Sequence, residues 1–283
     1  MASAPRERGP GTKRRVRSRT LAAGCALVGA VALTALVSLV WLPYDPADTS
    51  GGRLAPPGAA HPLGTDRLGR DLLTQVMIGA RIALAAGLGA TAVGGVLGVA
   101  AGLAGGFATR WLDDAFAVLS DILIAFPVLL LAMLMVAARQ ASLGPAILAI
   151  GLAMSVTVAR LTRILVKRVL AQDFITAART SGTSWPRITV EHVLPNIWPT
   201  LLVSLALHLG VAVLAEATLS YLGLGAAPPN ASWGRMLREA QTTAFTAPVG
   251  VIAPGVLLAV LVVGANLVAD GVRDVADPAR RRS

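Results

Sequence analysis

The sequence predicts an all-α protein, a polytopic bundle of transmembrane helices, and three observations support that class. Of 283 residues, 55% are hydrophobic and only 14% charged, and mean hydropathy is +0.68, more apolar surface than a soluble domain can hide. Six apolar runs have spanning length for a hydrocarbon core of roughly 30 Å. The segments joining those runs carry 18 basic residues on one side and 7 on the other. The positive-inside rule places the richer side, and with it both termini, in the cytoplasm of a multi-pass cell-membrane protein.

Residues 1–19 hold seven of the 25 basic residues and one acid, Glu7, and are expected to form a disordered basic tail. Residues 20–41 read as the first span. The run resembles a signal peptide at first sight, but about 22 apolar residues exceed a signal h-region of roughly 7 to 15, and no small-residue cleavage site closes it. An extracytoplasmic loop is expected over 42–81. The core, 82–269, holds five further runs at 82–107, 115–138, 145–161, 198–219 and 249–269, followed by a cytoplasmic tail at 270–283.

Within the core, Gly94, Gly98, Gly102 and Gly106 recur every four residues and make a smooth ridge for helix packing. Asp121 and Glu216 lie inside apolar runs, and an intramembrane carboxylate is a candidate for the transport pathway. Each is near one end of its run, so snorkelling or a helix–helix hydrogen bond is an equal explanation. His61, Asp66 and Asp71 fall in the outer loop without a second histidine or thiolate at useful spacing, which favours a self-paired structural loop over a metal site. The single cysteine, Cys25, sits in an apolar run and provides neither a disulfide framework nor a metal cluster.

No phosphate loop of the G-x-x-x-x-G-K-[ST] kind is present, and the only lysines are Lys13 and Lys167. Neither G-x-S-x-G nor H-E-x-x-H occurs, so the chain has no visible catalytic residue and is not expected to be an enzyme or to bind a cofactor. Net charge is +10, but its distribution matches membrane topology rather than a nucleic-acid partner.

A long polar, charge-bearing interval between runs is DFITAARTSGTSWPRITVEHVLPN, residues 173–196. Asp173 is a good N-cap, residues 174–181 make about two helical turns, and Gly182 suits the left-handed position that ends a helix. Pro195 fits the first turn of the next span, where a missing N–H is harmless. So short a helix is marginal alone and needs docking, and Ala177 and Ala178 let a partner approach its backbone.

Ala177-Ala178, three residues, Gly182, then Val193-Leu194-Pro195 resembles the cytoplasmic "EAA" loop of ABC importer permeases. The resemblance implies a coupling helix docked in an ATPase subunit, with Asp173, Phe174, Thr176, Ala177, Ala178, Arg179, Gly182, Leu194 and Pro195 in the coupling loop, itself spanning 160–197. Thr176 departs from the family, which usually has Glu there, a better N3 partner in a capping box. His61 to Asp71, HPLGTDRLGRD, is similar to the signature of the C-type permease subunit of dipeptide, oligopeptide and nickel importers. Glu216 to Gly225, Pro228-Pro229, Ser232-Trp233-Gly234, and the series Asn266, Asp270-Gly271, Arg273-Asp274 and Asp277-Pro278 agree with that family.

What the resemblance implies is the type I ABC importer permease fold, a homologous permease subunit, two ATPase subunits that carry ATP and Mg, an extracytoplasmic solute-binding protein, and surrounding lipid. A proton-coupled carrier would instead show inverted repeats and deeper acids. A structural scaffold would not need the 173–196 loop.

Overall fold

Four glycines spaced one turn apart set the centre of the bundle. The structure is a computed structural model describing residues 11–125, 127–137, 142–226 and 230–276, and these hold helices and one isolated β-bridge, Thr65 with Asp71. Gly94, Gly98, Gly102 and Gly106 lie along α2 (Leu72–Gly106) and face α5 (Leu143–Leu170). An added Cβ would sit 3.0 Å from the Gly151 carbonyl oxygen at Gly94, 2.6 Å from Val158 Cβ at Gly98, and 2.5 Å from the Ala159 carbonyl oxygen at Gly102. At Gly106 it would meet Val166 Cγ1 at 2.5 Å. Small residues permit this approach, and in lipid close packing of this kind replaces the hydrophobic drive that joins helices in water.

Around that pair the remaining long helices are α8 (Leu194–Tyr221), on another face of α2, and α1 (Gly11–Val40) with α10 (Val249–Ala276), which pack together on the outside. Gly24, Gly264 and Gly271 let α1 and α10 touch at backbone distance. Among the described residues five helices are long and apolar enough to cross a membrane: Arg19–Val40, Leu72–Gly106, Leu143–Leu170, Trp185–Tyr221 and Val249–Val275.

The run at 115–138 is divided between α3 (Arg110–Ala125) and α4 (Val128–Ala137), with Pro127 between them. Proline has no amide hydrogen and disfavours helix in the residue before it. At 1.5 Å per residue the two pieces measure about 24 and 15 Å, each too short to span alone.

Other boundaries differ from the sequence expectation for local reasons. Helix α1 begins at Gly11, inside the expected disordered tail, because lysine and arginine are good helix formers. Helix α2 starts at Leu72 rather than 82, since Asp71 caps it by accepting from the Thr74 amide at 2.8 Å. Helix α5 runs on to Leu170 through four basic residues, because Thr162, Leu165, Val166 and Val169 keep one face buried.

Beyond α5 come α6 (Asp173–Thr180) and α7 (Trp185–Ile188), the latter continuous with α8 through a π-helical turn, Thr189–Val193. Pro195 cannot donate to the Glu191 carbonyl, and the wider turn accommodates that loss. A short helix not foreseen from sequence, α9 (Trp233–Ala240), closes the far end. Residues 1–10 and 277–283 of the two tails, Ala138, Pro228-Pro229 and Asp277-Pro278 lie outside the described residues.

The α2–α5 seam predicts an asymmetric response to added methyls. Gly102→Val should lower the thermal midpoint of the detergent-solubilised protein, with overpacking of about 1–3 kcal/mol. Gly29→Ala, where nothing lies within 4 Å of the new Cβ, should be neutral or raise it, since alanine is favoured over glycine in a helix by about 1 kcal/mol.

Candidate functional site

One end of the bundle is built around a single buried side chain of α6. Ile175 is 1% exposed and enters a cluster with Val166 and Val169 of α5, Ile188 of α7, Val193, and Ile197 and Leu201 of α8. Ala178, one turn on, packs partly against the same cluster. This corrects the expectation that Ala177 and Ala178 face outward together. At 3.6 residues per turn the position three after Ile175 shares its face, so Ala178 supports docking onto the chain's own body while Ala177 is exposed.

The ends of α6 are defined by the backbone. Gln172, not Asp173, is the N-cap, and its side chain makes no capping bond; Asp173 lies in the first turn, where its charge complements the helix dipole. At the other end Gly182 has φ +81°, its amide donates to the Arg179 carbonyl at 3.0 Å, and the Thr183 amide donates to the Ala178 carbonyl at 3.1 Å. These two bonds form a Schellman terminator, which needs the left-handed residue at Gly182.

The outward surface of α6 carries Asp173, Phe174, Thr176, Ala177 and Arg179. Phe174 meets the His192 ring edge-on at 6.1 Å, and the Arg179 guanidinium lies 4.4 Å over the half-exposed ring of Trp185. Trp185 in turn packs edge-on against Phe107 at the end of α2, with ring centroids 5.5 Å apart. Leu194 joins the buried cluster and Pro195 opens α8. Sequence inspection missed Ile175 and Trp185; the amphipathic spacing Ile175–Ala178 was the signal for the first.

Asp113, also overlooked, ties α3 to this end. It accepts from Arg163 Nε and from Lys167 Nζ, both on α5 within three turns of α6, and Arg163 also lies 5.8 Å from the Phe116 ring. Asp113 precedes the apolar run of α3, and Arg163, with Lys167 beside it, holds its carboxyl down to about 2. Asp121 pairs with Arg160 Nη1 at 2.9 Å in a second, more exposed bridge between α3 and α5. Glu216 departs from the snorkelling expectation: it is 1% exposed, and one oxygen accepts from Ser220 Oγ at 2.6 Å. The following segment returns close to the neighbouring residues, since a Cβ added at Gly225 would meet Ser220 and one at Gly234 the Ala217 carbonyl.

At the opposite end the His61–Asp71 loop satisfies its own polar groups. His61 Nδ1 lies 3.0 Å from Asp71, whose other oxygen caps α2, and Asp66 accepts from the Leu68 and Arg70 amides and from Arg70 Nε at 2.6 Å. Trp233 of α9 donates from Nε1 to the Val76 carbonyl at 3.0 Å, over Gly79, where a Cβ would meet the indole at 2.4 Å.

A body of long apolar helices with a short polar helix docked at one end is the architecture of a multi-pass membrane protein. Residues 94–282 match the family described as binding-protein-dependent transport system inner membrane component, and the chain belongs to that family. It is 36% identical over 259 residues to the dipeptide transport system permease protein DppC of Alkalihalophilus pseudofirmus, across 89% of this chain and 85% of that one. It is 37% identical over 257 residues to the nickel transport system permease protein NikC of Escherichia coli K12, across 89% and 91%. A glutathione transport system permease protein, GsiD of Pectobacterium atrosepticum, is 37% identical over 222 residues, across 78% and 74%. The chain is a permease subunit of an ABC importer.

The packing of α6 predicts that Ile175→Ala undocks it. Removing a buried isoleucine typically costs about 2–5 kcal/mol, so amide hydrogen exchange across 173–180 should rise steeply. Thr176→Ala, on the exposed side, should leave the same amides at wild-type rates.

Proposed function

We propose that this chain forms one half of a heteromeric pore, paired with a homologous permease subunit, that imports peptides or a related small solute. Two separate ATPase subunits carry ATP and Mg, and this chain binds no cofactor. With α3 and α4 together making a sixth crossing, the α6 end and both termini lie in the cytoplasm; the α9 end faces outward, toward a solute-binding protein. The distribution of 18 basic residues against 7 supports that orientation. Relatives named for dipeptide, nickel and glutathione transport support the solute class.

The observation that carries the mechanism is the docking of α6. Its buried face is fixed to α5 and α8, while Phe174, Thr176, Ala177 and Arg179 remain available to an ATPase cleft. Closure of the ATPases would push on α6, and the Ile175 cluster would pass that push to α5 and α8 as a rigid-body rotation. Asp113 and Asp121 then carry α3 along through their bridges to α5. Glu216 and the glycine ridge serve packing in this scheme.

Three variants, inserted at equal levels in the membrane, test the assignment by solute uptake and ATPase co-purification. Gly182→Val should be severe, because a left-handed residue costs a non-glycine roughly 1–2 kcal/mol and the exit from α6 is redirected, although the surrounding space is open. Ala178→Trp should be equally damaging, now by prising α6 off its own body. Thr176→Ala should keep at least half of wild-type uptake, on the order of a surface change. The opposite pattern, with Thr176→Ala abolishing assembly and the other two active, contradicts the coupling role.

A further inference from the structure

Where the 53–72 loop meets α9 and the segment leading to α10, the chain encloses a cavity of about 580 Å³. Leu72 and Met236 give it an apolar floor. Four arginines line it, Arg53, Arg67, Arg70 and Arg235, against two acids, Asp66 and Glu239. The acids are already engaged: Arg70 donates to Asp66 at 2.6 Å and to Glu239 at 2.8 Å, and Arg235 donates to Glu239 at 2.7 Å. Among the described residues Arg53 and Arg67 have only neutral acceptors, the Arg67 carbonyl at 3.0 Å and Thr242 Oγ1 at 2.7 Å. Two cations therefore stand at the rim without a carboxylate.

The rim is preformed. Gly64 and Gly69 hold φ of +80° and +87°, and Leu54, which lines the cavity, has φ +53° with its backbone N–H donating to the Asp66 carbonyl at 3.0 Å. A leucine in that region is strained, and such residues persist only where the surroundings over-determine them. Between two other lining residues, Thr243 and Thr246, Phe245 is fully exposed at 103%, an aromatic uncovered by the described residues.

We propose that this pocket seats an acidic, partly apolar segment of the extracytoplasmic solute-binding protein, an inference that rests on the outward orientation given under Proposed function. Membership of a binding-protein-dependent family requires such a partner, and the pocket lies at the end of the bundle away from α6. Its chemistry fits one: Arg53 and Arg67 supply charge complementarity that steers and orients the encounter. Phe245 supplies the aromatic anchor typical of interface hot spots. The rigid rim removes the ordering entropy that weakens binding by mobile loops.

The test uses the full permease–ATPase complex in neutral-lipid nanodiscs and the solute-binding protein that co-purifies with the native complex. Wild type should bind it with an affinity that falls as salt rises. Arg53→Gln with Arg67→Gln should weaken binding on the order of tenfold and flatten the salt dependence, and Phe245→Ala should weaken it similarly. ATPase turnover without the binding protein should stay at the wild-type rate in both. Wild-type affinity in the variants would overturn the pocket assignment, as would loss of subunit assembly, which would make the surface a permease–permease contact. If the variants differ from wild type only in nanodiscs of anionic lipid, the arginines hold headgroups and the proposal falls. Failure of wild type itself to bind the protein would refute the outward orientation on which the pocket assignment rests, and the proposal with it.

Discussion

The bundle depends on one contact, the approach of α5 to the bare face of α2 made by Gly94, Gly98, Gly102 and Gly106. Because that seam is made at backbone distance, α5 has little freedom to slide or rotate on α2, and both ends of the molecule inherit its geometry. At one end α5 emerges carrying Val166 and Val169 under Ile175; at the other, the start of α2 receives Trp233 over Gly79. A helix of 35 residues, about 50 Å long, thus connects the α6 docking cluster to the cavity beside α9 through continuous close packing.

The two ends use different physics. The α6 end is held by an apolar cluster and by charged bridges to α3, while its exposed surface keeps small, polar and aromatic groups for a partner. A short helix of this kind has little intrinsic stability, so its position reports faithfully on α5 and α8. The opposite end is held by hydrogen bonds and ion pairs of the His61–Asp71 loop with itself and with α9. Glu216 lies near the same end, buried and accepting from Ser220.

Much of this architecture was legible in the sequence, and the exceptions have physical causes. Apolar runs reveal spans because the bilayer imposes their length, and Gly182 reveals a helix end because few other residues take its φ. Hydropathy averages over a window, so the break at Pro127 and the extension of α5 past Arg160 were concealed, although proline and the buried spacing Thr162, Leu165, Val166, Val169 encoded both. The outward expectation for Ala178 failed because a single small residue gives no direction until the buried neighbour three positions earlier is recognised. The burial of Glu216 is a tertiary fact that no local pattern contains.

The central claim is that α6 is docked through Ile175 and Ala178 with the opposite surface turned to an ATPase. Site-directed cross-linking measures this directly. In a Cys25→Ser background, single cysteines at Thr176, Ala177 and Ile175 would be treated with a short thiol cross-linker in membranes containing the whole transporter. The account predicts strong cross-links to the ATPase subunit from positions 176 and 177 and none from 175. Equal cross-linking at all three, or cross-linking from 175 alone, would contradict it.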